Sequence, residues 1–171
     1  ALIDAFRHFH APMQNALMAD RNGRIAYKAI GKVPLRHADN DIMGVAPSPG
    51  WDSRYDWQGW LSFEQTPEDD GSKGWIATAN QRVHDTDYPH FLTQDRAPPF
   101  RQQRIEELLG ETALHDRDSF ARMQADLVSG STRRLLPFLR STVSDHPLAA
   151  DAQRALEKFD GMMSSDLAAP L

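Results

Sequence analysis

The sequence predicts an α+β chain, with short strands and loops first and helices in the last third. Three patterns carry this. Two β-favouring runs, residues 14–20 and 24–30, flank Arg21-Asn22-Gly23. A short apolar run, Trp75-Ile76-Ala77-Thr78-Ala79, interrupts polar, loop-like sequence. From about residue 100 onward, apolar side chains recur at helical spacing between Gly and Pro punctuation.

Taken in order, Leu2, Ile3, Phe6 and Phe9 fall on one helical face, and Pro12 ends that helix. The runs at 14–20 and 24–30 predict a hairpin, for which Asn22-Gly23 offers the positive φ angles of a tight turn. Gly31, Pro34 and the polar residues 36–41 predict a loop, as does Ala46-Pro47-Ser48-Pro49-Gly50, where two prolines each remove a donor. An aromatic block follows, with Trp51, Tyr55, Trp57, Trp60 and Phe63, then a polar turn at 67–74. Trp75 to Ala79 reads as a buried strand ending at Asn80, and 81–99 as a long irregular stretch. A helix is expected at about 100–109, stopped by Gly110. Asp118 or Ser119 caps another, with Phe120, Met123 and Leu127 on one face and Leu135, Leu136 and Leu139 continuing it; Pro137 should kink or restart it. Asp145 and Pro147 open a last helix through Phe159, ended by Gly161.

At 171 residues one domain is the default, with 1–80 mostly strands and loops, 81–99 irregular and 100–171 mostly helical. The opening on Ala1-Leu2-Ile3, already inside an amphipathic pattern, and a closing stretch at 166–171 that reads as a helix cut short suggest a piece of a longer chain. With no cysteine, disulfides, thiolate metal sites and a cysteine nucleophile are excluded. A net charge of -5 argues against nucleic acid as a partner. No apolar run approaches the about 20 residues that a helical bilayer crossing needs.

Several residue groups have side chains that could carry chemistry. His8 and His10, two apart on a helix, point to different faces and make a poor metal pair. The stretch His84-Asp85-Thr86-Asp87-Tyr88-Pro89-His90 is a denser set of donors, in which Asp85 and Asp87 suit a hard cation, yet its spacing matches no transition-metal pattern and solvated loop residues are the simpler reading. Asp69-Asp70 and Glu106-Glu107 are adjacent pairs that diverge in direction. Trp51, Trp57 and Trp60 suit either a ligand groove or, more simply, core packing. Asn80 has two readings: a structural amide, or a donor to an oxyanion, since an amide N–H donates without a proton to lose. Arg101 likewise reads as a surface ion pair or as a positive anchor beneath a site.

Together, several strings resemble the β chain of the penicillin acylase (penicillin amidase) family of N-terminal nucleophile hydrolases. They are Pro12-Met13-Gln14-Asn15, Ala19-Asp20-x-x-Gly23-x-Ile25-x-Tyr27, Gly31-x-x-Pro34-x-Arg36, Pro47-x-Pro49-Gly50, Tyr55-x-Trp57-x-Gly59 and Phe63-x-x-x-Pro67. Further along come Gly74-Trp75-Ile76-Ala77-Thr78-Ala79-Asn80, Asp87-Tyr88-Pro89, Pro98-Pro99-Phe100-Arg101, Met123-Gln124-x-Asp126 and Phe159-Asp160-Gly161, in the family's order. The resemblance implies part of an αββα sandwich, and a parent that is periplasmic or secreted and cuts itself into α and β chains. It implies hydrolysis of an N-acyl amide of penicillin, cephalosporin or acyl-homoserine-lactone type through an acyl-enzyme on an N-terminal Ser. It places Asn80 in the oxyanion hole, Arg101 in support of Asn80, and Gln14 beside the acyl pocket. The partners it implies are the small-molecule amide, the remainder of the β chain and the α chain of the same precursor.

The nucleophile-bearing segment has no counterpart here, since the chain begins at Ala1. The expectation is therefore a fragment of the β chain that is inactive alone. No cofactor is required. A structural calcium is implied for the parent, but Asp85, Asp87 and Asp95 do not align with its ligands, and no metal ligand is assigned. Two rival readings remain: a non-catalytic α+β module binding ligand through Trp51, Trp57 and Trp60, and a metal-dependent enzyme built on 84–90.

Overall fold

The computed structural model describes residues 2–167. Of the helical close expected at 166–171, residues 168–171 lie outside the described residues, as does Ala1, and 166–167 are not helical. The chain separates into two compact units, 1–97 and 98–171.

In the first unit a 3-10 helix, Ile3–His8, precedes five strands: β1 (Gln14–Ala19), β2 (Ile25–Ile30), β3 (Pro34–Arg36), β4 (Trp57–Trp60) and β5 (Glu68–Asp69). They form an antiparallel sheet in the order β1-β2-β5 and a two-stranded sheet, β3-β4. The hairpin is as expected, in register from Gln14↔Ile30 to Ala19↔Ile25. Its turn is wider than the tight pair predicted. Only Gly23 of the Asn22-Gly23 pair is left-handed, at φ +79°, and the Asp20 N–H donates to the Arg24 carbonyl at 2.9 Å. The Asp20 carboxylate accepts from the Asn22 and Arg24 N–H groups, so an Asp side chain rather than a two-residue turn sets the loop. At Gly31 (φ +109°) a Cβ would lie 2.8 Å from the Met13 Cα, so only glycine lets residues 10–13 cross this close.

β2 is the central strand and is buried on both faces: Tyr27, Ala29 and Ile30 join Val33, Leu61 and Ala79 in the core. Between them lies Lys28, only 1% exposed. Its ammonium donates to the Thr66 carbonyl at 2.9 Å and to Glu68 Oε2 at 3.0 Å, and it sits 5.0 Å from the centre of the Phe63 ring. The Ala29 N–H donates to the Pro67 carbonyl at 2.8 Å, so residues 66–69 are tied to β2 by side chain and backbone together.

Further expectations fail in this unit. Pro34 opens a strand rather than a loop, because β4 offers it a partner on one side only and the missing proline N–H costs no ladder bond there. The core-packing reading of the tryptophans is overturned. Trp51, Trp57 and Trp60 are 89%, 60% and 45% exposed. β4 pairs only with the three-residue β3 among the described strands, so its aromatic side chains have no layer to enter. Trp57 and Trp60 instead pack edge to face at 5.2 Å.

The second unit holds α1 (Phe100–Gly110), α2 (Arg117–Gln124), α3 (Gly130–Ser141) and α4 (Ala149–Glu157). α3 packs on both α1 and α4, with Leu109, Leu136 and Phe159 buried. The single helix expected across 118–139 is two. Asp116, not Asp118 or Ser119, caps α2 through a reciprocal capping box with Ser119. The chain then leaves helical geometry to bridge Val128 with Met162. Ser129 restarts it as the N-cap of α3, which runs through Pro137 rather than restarting there. α4 begins at Ala149, beyond the Asp145-Pro147 signal, and Leu148 caps it without a side-chain bond.

Arg104 joins α1 to the α2–α3 link: its guanidinium meets Asp126 with two bonds, at 2.7 and 3.0 Å, and Glu107 at 3.1 Å. The hydrogen bonds from Arg104, ahead of the smaller cost of burial, hold the Asp126 carboxyl below its ordinary value.

Two predictions follow from these contacts. Lys28→Ala should lose about 2–4 kcal/mol in urea unfolding, because it removes the packed stem and orphans the Thr66 carbonyl, whereas Lys28→Met, which keeps the stem, should lose about 1–2 kcal/mol. Because the folded Asp126 is depressed, its stabilisation is complete above the ordinary value of 3.8 and is lost as pH falls through the lower folded value. Asp126→Asn should remove that acid-side slope from a stability–pH profile, and an unchanged slope would rule out this pair as its source.

Candidate functional site

Residues 75–78 form no ladder between the bends at Gly74 and at 79–80, so the buried strand expected at Trp75 to Ala79 is corrected: no described strand pairs with it, and only Ala79 of the five is buried. The Ala79 N–H is taken up by the Gln81 side chain at 2.8 Å. Asn80 follows in the left-handed region, at φ +64°, and is exposed rather than sealed at a strand end. Asparagine is among the few non-glycine residues that enter this region readily. At this reversal Asn80 lines a cleft.

That cleft, about 520 Å³ and wholly within the first unit, takes its wall from two sources. Met13, Gln14 and Asn15 come from the start of β1, and the rest comes from 78–84 and 92–96. The Asn80 carbonyl accepts from the Ala97 N–H at 2.8 Å, closing the irregular stretch 81–96 at its base. Asn15 is braced from behind, since the Tyr27 hydroxyl donates to its Oδ1 at 2.9 Å. Burial pushes the Tyr27 phenol well above its ordinary value, so it remains a donor throughout the working pH range.

The structure thus brings Gln14 and Asn80 to one cleft. Arg101 stands in the first turn of α1, exposed, in the second unit. Residues that sequence reasoning passed over also line the cleft: Arg82, Thr93 and Arg96. No motif marks them, because a loop brings them there rather than an element with a period.

His84 reaches the cleft as well, but the 84–90 stretch is organised by ring contacts and not as a ligand set. Tyr88 stacks with His84 at 4.6 Å and meets His90 edge-on at 5.5 Å, and its hydroxyl donates to the Gln65 carbonyl at 2.7 Å. Among the described residues no three His, Asp or Glu side chains converge to hold an ion.

An α+β chain of this kind has a solved counterpart. The thermostable penicillin G acylase of Alcaligenes faecalis superposes on 94% of this chain and 29% of its own with a TM-score of 0.70, at 22% identity, so the two share a fold over that stretch. The sequence goes further. It matches the penicillin amidase family over residues 1–171. It is 35% identical over 95% of its length to the acyl-homoserine lactone acylase QuiP of Pseudomonas aeruginosa, and 33% identical over 96% to the penicillin acylase 2 proenzyme of a Pseudomonas species, strain SE83. The chain belongs to the penicillin amidase family. It spans about a fifth of the length of these two relatives.

The left-handed turn at Asn80 makes a test of its own. Asn80→Ala should destabilise the chain by about 1–2 kcal/mol relative to Asn80→Gly, which enters the same region without a Cβ clash, in paired denaturant titrations. Equal stability of the two would mean that the turn does not constrain this position.

Proposed function

We propose that this chain is part of the β chain of an acylase that hydrolyses the amide of an N-acyl small molecule of penicillin, cephalosporin or acyl-homoserine-lactone type. The observation that carries the proposal is the Asn80 amide, fixed at a left-handed turn in a cleft it shares with Gln14. In this reading the nucleophile is an N-terminal Ser outside these 171 residues. Its own α-amine takes the hydroxyl proton, and the Ser oxygen attacks the amide carbon. The carbonyl oxygen gains charge and accepts a hydrogen bond from the Asn80 amide, which strengthens as the charge develops. The C–N bond then breaks, the amine leaves with the proton, and water releases the acyl group.

Gln14 lies against the acyl portion, where a polar amide favours an acyl group other than an aromatic acetyl. Arg101 acts as a positioning residue for Asn80. The remainder of the β chain and the α chain of the same precursor complete the site, and the parent works in the periplasm or outside the cell. The 171 residues alone have no acylase activity. The exposed Trp51, Trp57 and Trp60 favour a second reading, a non-catalytic ligand-binding module on that face.

The two readings separate in one experiment. In the full-length parent, both Asn80→Ala and Asn80→Gly should lower kcat on a chromogenic N-acyl amide by about 10²–10³-fold with KM little changed, as one lost oxyanion donor does. Because glycine relieves the backbone, an equal loss in both variants assigns the effect to the amide. Unchanged turnover would remove Asn80 from the mechanism, whereas a parent that turns over no N-acyl amide would leave the binding-module reading.

A further inference from the structure

Arg82 and Arg96 both line the Asn80 cleft, and neither takes part in an ion pair or a hydrogen bond among the described residues. Arg82 is exposed and Arg96 is half-buried. Asp95, the one carboxylate lining the cleft, pairs with neither guanidinium. The remaining titratable group there, His84, directs Nδ1 to the Asp85 carbonyl at 2.8 Å. The cleft therefore carries an excess of positive charge, although the chain as a whole carries -5. Three guanidiniums in the second unit are spent otherwise: Arg104 on Asp126 and Glu107, Arg133 on the Asp160 carbonyl, and Arg140 on the carbonyls of Leu156 and Phe159.

A half-buried guanidinium without an anion bears a desolvation cost that a bound carboxylate would offset, and its planar fork fits a carboxylate with two parallel bonds. Arg82 stands two residues beyond Asn80, so their Cα atoms are at most about 7 Å apart. A charge recognised from there lies within a few bonds of the carbonyl that Asn80 would meet.

Resting on the proposed acylase reading, we propose that Arg82 and Arg96 are specificity-determining residues that select substrates with a carboxylate close to the scissile amide, as in an N-acyl α-amino acid. An uncharged lactone or ester in the same position gains nothing from them. The preference is electrostatic and weakens as salt rises.

The test is a matched pair, N-octanoyl-homoserine and its lactone, which share the acyl chain and differ by opening of the ring ester to a carboxylate and a hydroxyl. Each is also made with the amide N–H replaced by a methylene, so that binding is read without turnover. In calorimetric titrations of the full-length parent, the carboxylate analogue should bind at least 10-fold more tightly than the lactone. Arg82→Gln and Arg96→Gln should each reduce that ratio several-fold, and the double variant should abolish it. With the cleavable pair, the ratio of kcat/KM should follow through KM. Equal or tighter binding of the lactone, or a ratio untouched by the double variant, would overturn the inference. A preference that persists in a parent that cleaves neither compound, nor a penicillin or cephalosporin, would support carboxylate recognition by the two arginines and defeat the acylase reading instead.

Discussion

One backbone hydrogen bond, from the Ala97 N–H to the Asn80 carbonyl, holds the candidate site together. The stretch it closes has no ladder or helix, so nothing periodic fixes its path. Fastened at its base, and stiffened by the His84–Tyr88–His90 ring contacts and the Tyr88 bond to Gln65, it becomes one wall of a cleft. The opposite wall needs no such device, because β1 is already in register with β2. The cleft is thus a join between a regular element and an irregular one, and Asn80 sits at the point where the irregular one begins.

Much of this was legible before any coordinates. The hairpin could be read because alternation and a Gly at the turn are local signals. α1 could be read because its Pro-Pro entry is local too. The strings around Asn80 pointed to the family, and the structure places Gln14 and Asn80 in one cleft, although they are 66 residues apart in the chain. The failures share a cause, which is dependence on a partner. Whether Trp75 to Ala79 is a strand depends on a neighbouring strand, and none of the described ones pairs with it. Whether Trp57 and Trp60 are core depends on a second layer over β4. The break between α2 and α3 depends on Met162, far along the chain, pairing with Val128. Arg82 and Arg96 escaped notice because two arginines in a loop have no signature until the loop is closed.

The two units hold themselves together by different means. In the first, a buried ammonium and backbone bonds tie 66–69 to the central strand. In the second, arginines reach across to carboxylates and to carbonyls at the end of α4 and just beyond it, doing at the surface what a larger apolar core would do inside. Three large apolar residues buried there, Leu109, Leu136 and Phe159, are few for four helices.

The seclusion of Lys28 has a use at the bench. The chain has four lysines, and Lys32, Lys73 and Lys158 are exposed. An amine-directed reagent or trypsin would therefore meet three of them at once and the fourth only after residues 66–69 lift from β2. Modification at Lys28, followed by mass spectrometry of the peptide that carries it, is a clock for the opening of that sheet.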